Sequence, residues 1–323
     1  MKPRGMTTYI GARILRSVPL LLGISVIVFA LIHAAPGGPL TVYLSNPNVT
    51  PDDIARLEAK LGLDRPLPVQ YASWLWAFAR GDWGYSYVDG RPVTERILER
   101  APATLELMVS ATILALILSL LLGSAAALHP RHWASRFVSA GSVLGISVPT
   151  FWLGLVLQLI FAVELRLLPT AGRMSPGGGE RLAYLVLPVS TLALFYASSW
   201  IRYVRASLIE TLQQPFIRAG RGRGILESHI LFVDALPNAI FPLITVWALD
   251  FAMLFSGAVV TETVFAWPGM GTLLLDSVYR RDYSVLMGIL MAGSALIIGF
   301  NLAADVLYGW LDPRVRLVEE SPS

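Results

Sequence analysis

The sequence predicts an all-α membrane protein: six transmembrane helices, a helical outer loop after the first, and a long inner segment between the fourth and the fifth. Residues 107–128 run twenty-two long without a charged side chain, and five further apolar stretches reach comparable length. The composition agrees, with 55% hydrophobic and only 15% charged residues, where soluble domains carry about 25%. Mean hydropathy is +0.61. A helix crossing a hydrocarbon layer of about 30 Å needs about 20 apolar residues, because every backbone N–H and C=O must be paired inside the segment.

The spans are read at 17–35, 107–128, 137–163, 182–201, 239–261 and 284–304, and only the fifth carries a charge, at Asp250. They divide the chain into an N-terminal stretch 1–16, an outer loop 36–106, a core 107–304 that includes the inner segment 202–238, and a tail 305–323. Positive residues near short loops stay on the cytoplasmic side. Lys2, Arg4, Arg13 and Arg16 precede span one, Arg131 and Arg136 link spans two and three, and Arg202, Arg205, Arg218, Arg221 and Arg223 crowd the link between four and five. Both termini are therefore expected in the cytoplasm. Span one also has the outline of a signal peptide ending at His33-Ala34-Ala35, but its length and the following Pro36-Gly37-Gly38 favour an uncleaved anchor. There is no Cys, so disulfides play no part, and the net charge of +3 is what positive-inside loops give.

In the outer loop, Thr50-Pro51-Asp52-Asp53 has the form of a helix start, with Thr50 as N-cap and Pro51 at the first helical position. Ile54, Leu57 and Leu61 share a face, and Gly62 suits a C-cap. Tyr71, Trp74, Leu75 and Phe78 follow at helical spacing; they read first as an interfacial aromatic belt and second as a docking surface for an outer partner. The inner segment reads as short helices. Residues 207–213 form one stopped by Pro215, and a second continues from Phe216 toward Arg223, weakened by Gly220, Gly222 and Gly224. Its arginines serve either as topology anchors at lipid headgroups or as contacts for a partner.

Several chemistries are excluded. The chain has no G-x-x-x-x-G-K-[ST] phosphate loop, H-E-x-x-H or G-x-S-x-G, so no catalytic residues and no nucleotide site are assigned. His129 and His132 are too few to hold a metal, and Gly220-Arg221-Gly222-Arg223-Gly224 is too short for a nucleic-acid tract. Ionisable or polar groups inside spans are costly and become functional candidates. Asp250 is the clearest, with Gln158 beside it as a candidate for a polar path; Asn301 and Asp305 read as interhelical glue. A self-sufficient carrier would show more buried acids, so energy is expected to come from elsewhere.

An ordered series of strings carries a resemblance. It runs through Gly62-Leu63-Asp64-Arg65-Pro66-Leu67-Pro68-Val69-Gln70-Tyr71, Gly81-Asp82-Trp83-Gly84, Arg91-Pro92-Val93 and Ala103-Thr104-Leu105-Glu106-Leu107. It continues with Ser147-Val148-Pro149-Thr150-Phe151-Trp152, Glu262-Thr263-Val264-Phe265-Ala266-Trp267-Pro268-Gly269, Arg281-Asp282-Tyr283 and Leu311-Asp312-Pro313-Arg314-Val315-Arg316. The chain thereby resembles the dipeptide and oligopeptide ABC-transporter permeases, specifically the first of the two paired subunits. The resemblance implies a bacterial inner-membrane subunit of a binding-protein-dependent importer. It would pair with a homologous permease, bind two cytoplasmic ATPases that hold ATP and Mg, and receive substrate from an external solute-binding protein. It needs no cofactor of its own.

By that resemblance the inner segment is a coupling loop that docks on the ATPase, through Phe216, Arg218, Arg221, Arg223, Gly224 and Glu227. Tyr71 and Trp74 become candidates for receiving the binding protein, and Asp250 and Gln158 for lining the path. Gly220 and Gly222 stand where the family has alanines, Asp234 and Pro237 where a His and an Arg are usual, and Asp250 where a Gln is commoner. Nickel and oligosaccharide importers share the pattern, and a secondary carrier using Asp250 is the rival from another class.

Overall fold

The computed structural model describes residues 6–34, 50–173 and 181–311. Regular structure there is helical, apart from one antiparallel bridge between Tyr85 and Pro92. The helices are α1 (Met6–Ala34), α2 (Pro51–Leu61), α3 (Leu67–Ala79), α4 (Val93–Leu128), α5 (Trp133–Ser147), α6 (Thr150–Gln158), α7 (Arg181–Leu212), α8 (Pro215–Gly222), α9 (Glu227–His229), α10 (Leu236–Val264), α11 (Met270–Tyr279) and α12 (Tyr283–Leu311). Leu159–Glu164 and Ile230–Ala235 are π-helical. Residues 1–5, the Pro36-Gly37-Gly38 stretch and the tail beyond Leu311 lie outside the described residues.

Four stretches are individually long and apolar enough to cross a bilayer: Leu15–Ala34, Val93–Leu128, Arg181–Leu212 and Tyr283–Ala303. Two bent pairs raise the number to six if each pair counts as one span. The third expected span, 137–163, is thus not one helix. Its two arms, Trp133–Ser147 and Thr150–Glu164, meet at 107°. The cause is local: Pro149 bars the preceding residue from helical geometry and offers no N–H, and Val148 is extended at φ −86, ψ 124. Two helix boundaries also differ from the sequence reading. Helix α4 starts at Val93, well before the apolar run at 107, because residues 95–101 are mostly good helix formers that happen to be charged, and the helix continues through Pro102. Helix α7 continues to Leu212, so 207–213 is not a separate helix but its last turns; nothing breaks it before Pro215.

Contacts divide the chain into two compact units, Met1–Ala103 with Pro268–Ile298 and Thr104–Trp267 with Gly299–Ser323. In the first unit, Val28, Phe29 and Ile32 of α1 form an apolar cluster with Tyr283 and Met287 of α12, while Leu20, Val26, Ile27 and Leu31 are left exposed on α1, as a lipid-facing side requires. Helix α2 begins and ends as its sequence dictates. Thr50 and Asp53 form a reciprocal capping box and Gly62 closes the helix at φ 67. The hydrogen bonds from Thr50 hold the Asp53 carboxyl below the usual carboxylate range. Gly288 is a close approach, since a Cβ there would lie 2.4 Å from Val93 Cγ1.

The second unit is built on α7, whose Trp200, Leu192 and Leu208 are fully buried. Helix α5 reaches it at Gly145, where a Cβ would fall 2.0 Å from Ser198 Oγ; small residues let bilayer helices approach this closely. A second cluster joins Leu208 of α7, Ile217 of α8, Ile230 and Ala239. Each fully buried aliphatic side chain there contributes about 1.5–3 kcal/mol, enough to tie the inner segment to the helices on either side of it.

Candidate functional site

The inner segment turns sharply after α7. Gln214 is extended, Pro215 opens α8, and the Arg218 guanidinium folds back to donate to the Gln213 carbonyl from Nε at 3.2 Å and Nη2 at 2.9 Å. A cation at a helix C-terminus satisfies carbonyls that the helix leaves unpaired. Ile217 and Gly220 face inward, with Ile230 Cδ1 3.7 Å from where a Gly220 Cβ would stand. Arg221 grips Glu227 with two bonds, Nε to Oε1 at 2.7 Å and Nη2 to Oε2 at 3.1 Å, and Gly224 ends the turn at φ 77. Of the six residues expected here, Arg218, Arg221, Glu227 and Gly224 therefore build the loop. Phe216 and Arg223 point outward.

Three apolar residues that the sequence reading missed are exposed in the same segment: Leu226 at 75%, Phe232 at 65% and Val233 at 56%. Phe216 is exposed as well, so the segment presents four apolar side chains together with the exposed Arg221 and Arg223, a composition that suits a contact more than a solvated loop. Leu226 and Val233 stand four and three residues from buried Ile230, spacings that put residues on one helical face, so the sequence pattern gave no signal of their exposure.

Asp250 sits on α10, half-buried. It accepts a hydrogen bond at Oδ2 from the indole Nε1 of buried Trp200 on α7, at 2.7 Å. Gln158, the last residue of α6, donates from its amide to the Thr170 carbonyl at 2.5 Å. Each has its own partner, and among the described residues no hydrogen bond joins the two. Tyr71 and Trp74 of α3 turn inward: they pack against the α1 and α12 cluster, and the Tyr71 hydroxyl lies 2.8 Å from Ser25 Oγ. The exposed aromatic of that helix is Trp76, with the Arg80 guanidinium 4.3 Å over its ring.

Three buried or half-buried acids tie separate stretches of the chain together. Asp282, 2% exposed, accepts from Ser86 Oγ and from the Tyr87 N–H, with Arg96 3.7 Å away. Glu262, fully buried, accepts from Thr104 Oγ1 at 2.5 Å. Glu106 takes both Arg173 and Arg181, at 2.9 and 2.5 Å. All three stand in the strings that carried the resemblance, but each falls outside the six apolar runs of the sequence and so gave no signal of burial; in the structure Glu106 lies within α4 and Glu262 within α10.

Four helices long and apolar enough to cross a bilayer, and two bent pairs that raise the number to six if each is one span, mark a membrane protein. The chain belongs to the family of binding-protein-dependent transport system inner membrane components, which matches residues 119–317, and the N-terminal family of the same membrane components matches residues 6–108. It is 38% identical over 316 residues to the oligopeptide transport system permease protein AppB of Bacillus subtilis (strain 168), covering 96% of this chain and 100% of that one. It is 37% identical over 311 residues to the glutathione transport system permease protein GsiC of Salmonella typhimurium (strain LT2), covering 96% and 99%. A solved structure of the MetNI methionine ABC transporter in inward-facing conformations shares the fold, with a TM-score of 0.57 over 67% of this chain and 96% of that chain at 18% identity. The resemblance read from the strings is borne out at the level of the family, and the chain is a multi-pass inner-membrane protein.

Proposed function

We propose that this chain is one of two membrane subunits of an ATP-driven importer of peptides. The observation that carries the substrate class is end-to-end identity with an oligopeptide permease, 38% over 96% of the chain. In this reading a homologous permease completes the path, two cytoplasmic ATPases hold ATP and Mg, an external solute-binding protein delivers the peptide, and both termini lie inside. Residues 17–304 form the spans and their loops, with 202–238 as the coupling element. ATP supplies the energy in the partner; the residues of this chain bind, pass on movement and select.

The path of that movement follows from the packing. A push on α8 enters through Phe216, Arg223, Leu226 and Phe232. It reaches α7 through the Arg218 bonds to Gln213 and the Leu208 contact, and α10 through Ile217, Ile230 and Ala239. Those two helices carry Trp200 and Asp250, whose hydrogen bond links them deep in the second unit. Asp250 is the proposed selectivity residue of the path, and Gln158 is a second candidate for lining it. On the outside, α3 with Tyr71, Trp74 and the more exposed Trp76 is the proposed platform for the binding protein.

Co-purification of the partner ATPases tests the coupling surface. Arg223→Glu and Phe216→Ala should reduce recovery of the ATPases at unchanged membrane level. Arg221→Glu alone would place two acids together and unmake the loop, so Arg221→Glu with Glu227→Arg is the matched control and should retain them. Unchanged ATPase recovery and unchanged uptake for Arg223→Glu and Phe216→Ala would overturn the assignment. Uptake independent of ATP would favour a secondary carrier, and uptake of nickel or an oligosaccharide in place of peptide would keep the transporter class and replace the cargo.

A further inference from the structure

The first compact unit holds a cavity of about 470 Å³ against α3, within the usual range of about 300–1,000 Å³ for ligand sites. Phe29 and Trp74 give it an apolar wall, His33 and Gln70 a polar one, and Arg65 and Asp82 its charges. The polar wall is already built. Gln70 donates from its amide to the carbonyls of Leu63 at 3.0 Å and Arg65 at 2.7 Å, and its own carbonyl lies 3.2 Å from His33 Nε2. His33 Nδ1 lies 2.8 Å from the Phe29 carbonyl. His33 and Gln70 are thus committed to holding the turn that carries Arg65. At the other end, Asp82 is fixed by its N–H to the Ala77 carbonyl and by one carboxylate oxygen, Oδ1, accepting from the Gly84 N–H at 3.0 Å.

Arg65 precedes α3 and Asp82 follows it, so the two opposite charges stand at the two ends of a helix of 13 residues, about 20 Å long. Among the described residues no ion pair joins them. A ligand that meets both charges needs an anion and a cation well separated along an extended body. An extended chain advances about 3.3–3.6 Å per residue, and the Arg65 side chain shortens the gap, so about three to five residues fit. A free amino acid or a zwitterionic lipid headgroup carries its charges too close together to reach both.

We infer that this cavity is an outer binding site for a short peptide with free ends, the carboxylate against Arg65, the ammonium against Asp82 and the body along Phe29 and Trp74. The site rests on the peptide reading above and adds a recognition rule to it: both termini uncapped, three to five residues. Nothing in it requires the residues of the second unit.

The test is equilibrium binding of tritiated tetra-alanine to the complete transporter in phosphatidylcholine nanodiscs, without nucleotide or binding protein. Saturable binding is expected, with acetylated and amidated tetra-alanine a much weaker competitor. Arg65→Gln and Asp82→Asn should each weaken binding about tenfold, the size of one modest charged contact, and Arg65→Lys should retain it. No saturable binding, binding indifferent to Arg65→Gln and Asp82→Asn, or displacement by glycerophosphoethanolamine as effective as by peptide would overturn the site. Binding-protein-dependent uptake of the same peptide, measured on the same preparation, separates the two levels. Uptake with no binding that depends on Arg65 and Asp82 overturns the site alone, whereas no uptake overturns the peptide reading beneath it.

Discussion

Gly220, Gly222 and Gly224 look alike in the sequence, but the loop gives each a different environment, and alanine at each should act differently. At Gly220 a Cβ would meet Ile230 Cδ1 at 3.7 Å and Ile225 Cδ1 at 3.9 Å, ordinary van der Waals distances. Alanine there gains helix propensity of about 1 kcal/mol and buries a methyl worth about 0.8 kcal/mol, so α8 should be firmer by a little under 2 kcal/mol. At Gly222 nothing stands within 4 Å, and only propensity acts, by at most about 1 kcal/mol at a last helical residue. Gly224 is left-handed at φ 77, where a Cβ costs about 1–2 kcal/mol. Hydrogen–deuterium exchange of residues 215–225 in the assembled transporter reads these differences, at about a tenfold change in exchange rate per 1.4 kcal/mol for local opening. Exchange should slow about tenfold or more for Gly220→Ala, slow less for Gly222→Ala, and accelerate about tenfold for Gly224→Ala. Faster exchange in Gly220→Ala, or equal slowing in all three, would refute this packing of α8.

Gly145→Ala forces α5 and α7 apart, because rotating Ser198 still leaves its Cβ 2.9 Å away; a loss of about 1–3 kcal/mol is expected, and adding Ser198→Gly should restore most of it in unfolding from mixed micelles. Asp282→Ala takes the acceptor from the Ser86 hydroxyl and the Tyr87 N–H, while Arg96 keeps Asp89 at 2.9 Å; it should cost about 1–3 kcal/mol, read as loss of folded protein from the membrane, with Asp282→Asn milder. Asp250→Asn keeps an acceptor for Trp200, so membrane level should hold, while uptake of cationic relative to neutral peptides falls about fivefold, the effect of about 1 kcal/mol at 4 Å in water; an unchanged ratio would leave Asp250 a structural residue. Because Asp53 is held below the usual carboxylate range, its capping contribution is present above a pH of about 3.9 and lost as pH falls through its lower folded value. Exchange at the start of α2 should therefore quicken only in strong acid, and Thr50→Ala should remove that step.

Local chemistry carried the legible part of the fold. Thr50, Asp53 and Gly62 cap α2 as side-chain hydrogen bonding and φ freedom require, and the apolar runs mark bilayer-length helices because the membrane leaves the backbone no other option. Helix ends were less legible. Charge stops a hydrophobic run without stopping a helix, which is why α4 begins at Val93 and α7 reaches Leu212. The break at Val148 is written in Pro149, but bilayer helices also carry Pro19, Pro102 and Pro188 unbroken, so a proline alone does not predict a 107° turn. At the site, residue types were legible and assignments were not. Arg218 and Arg221 could be read as outward contacts because nothing in the order of the chain shows that Gln213 and Glu227 lie within reach. Tyr71 and Trp74 fit a belt by spacing, but pairing with Phe29 and Tyr283 depends on helices far away in sequence. Asp250 was visible as a cost, and Trp200, its partner fifty residues earlier, was not.

The most direct measurement is ATP-driven accumulation of tetra-alanine in proteoliposomes holding this chain with its paired permease and ATPases, supplied with the binding protein outside. Accumulation that requires both ATP and the binding protein, and that drops sharply with Phe216→Ala and Arg223→Glu while the membrane level of this chain holds, is the predicted result. Accumulation without ATP, or ATP-driven accumulation indifferent to both substitutions, would contradict it.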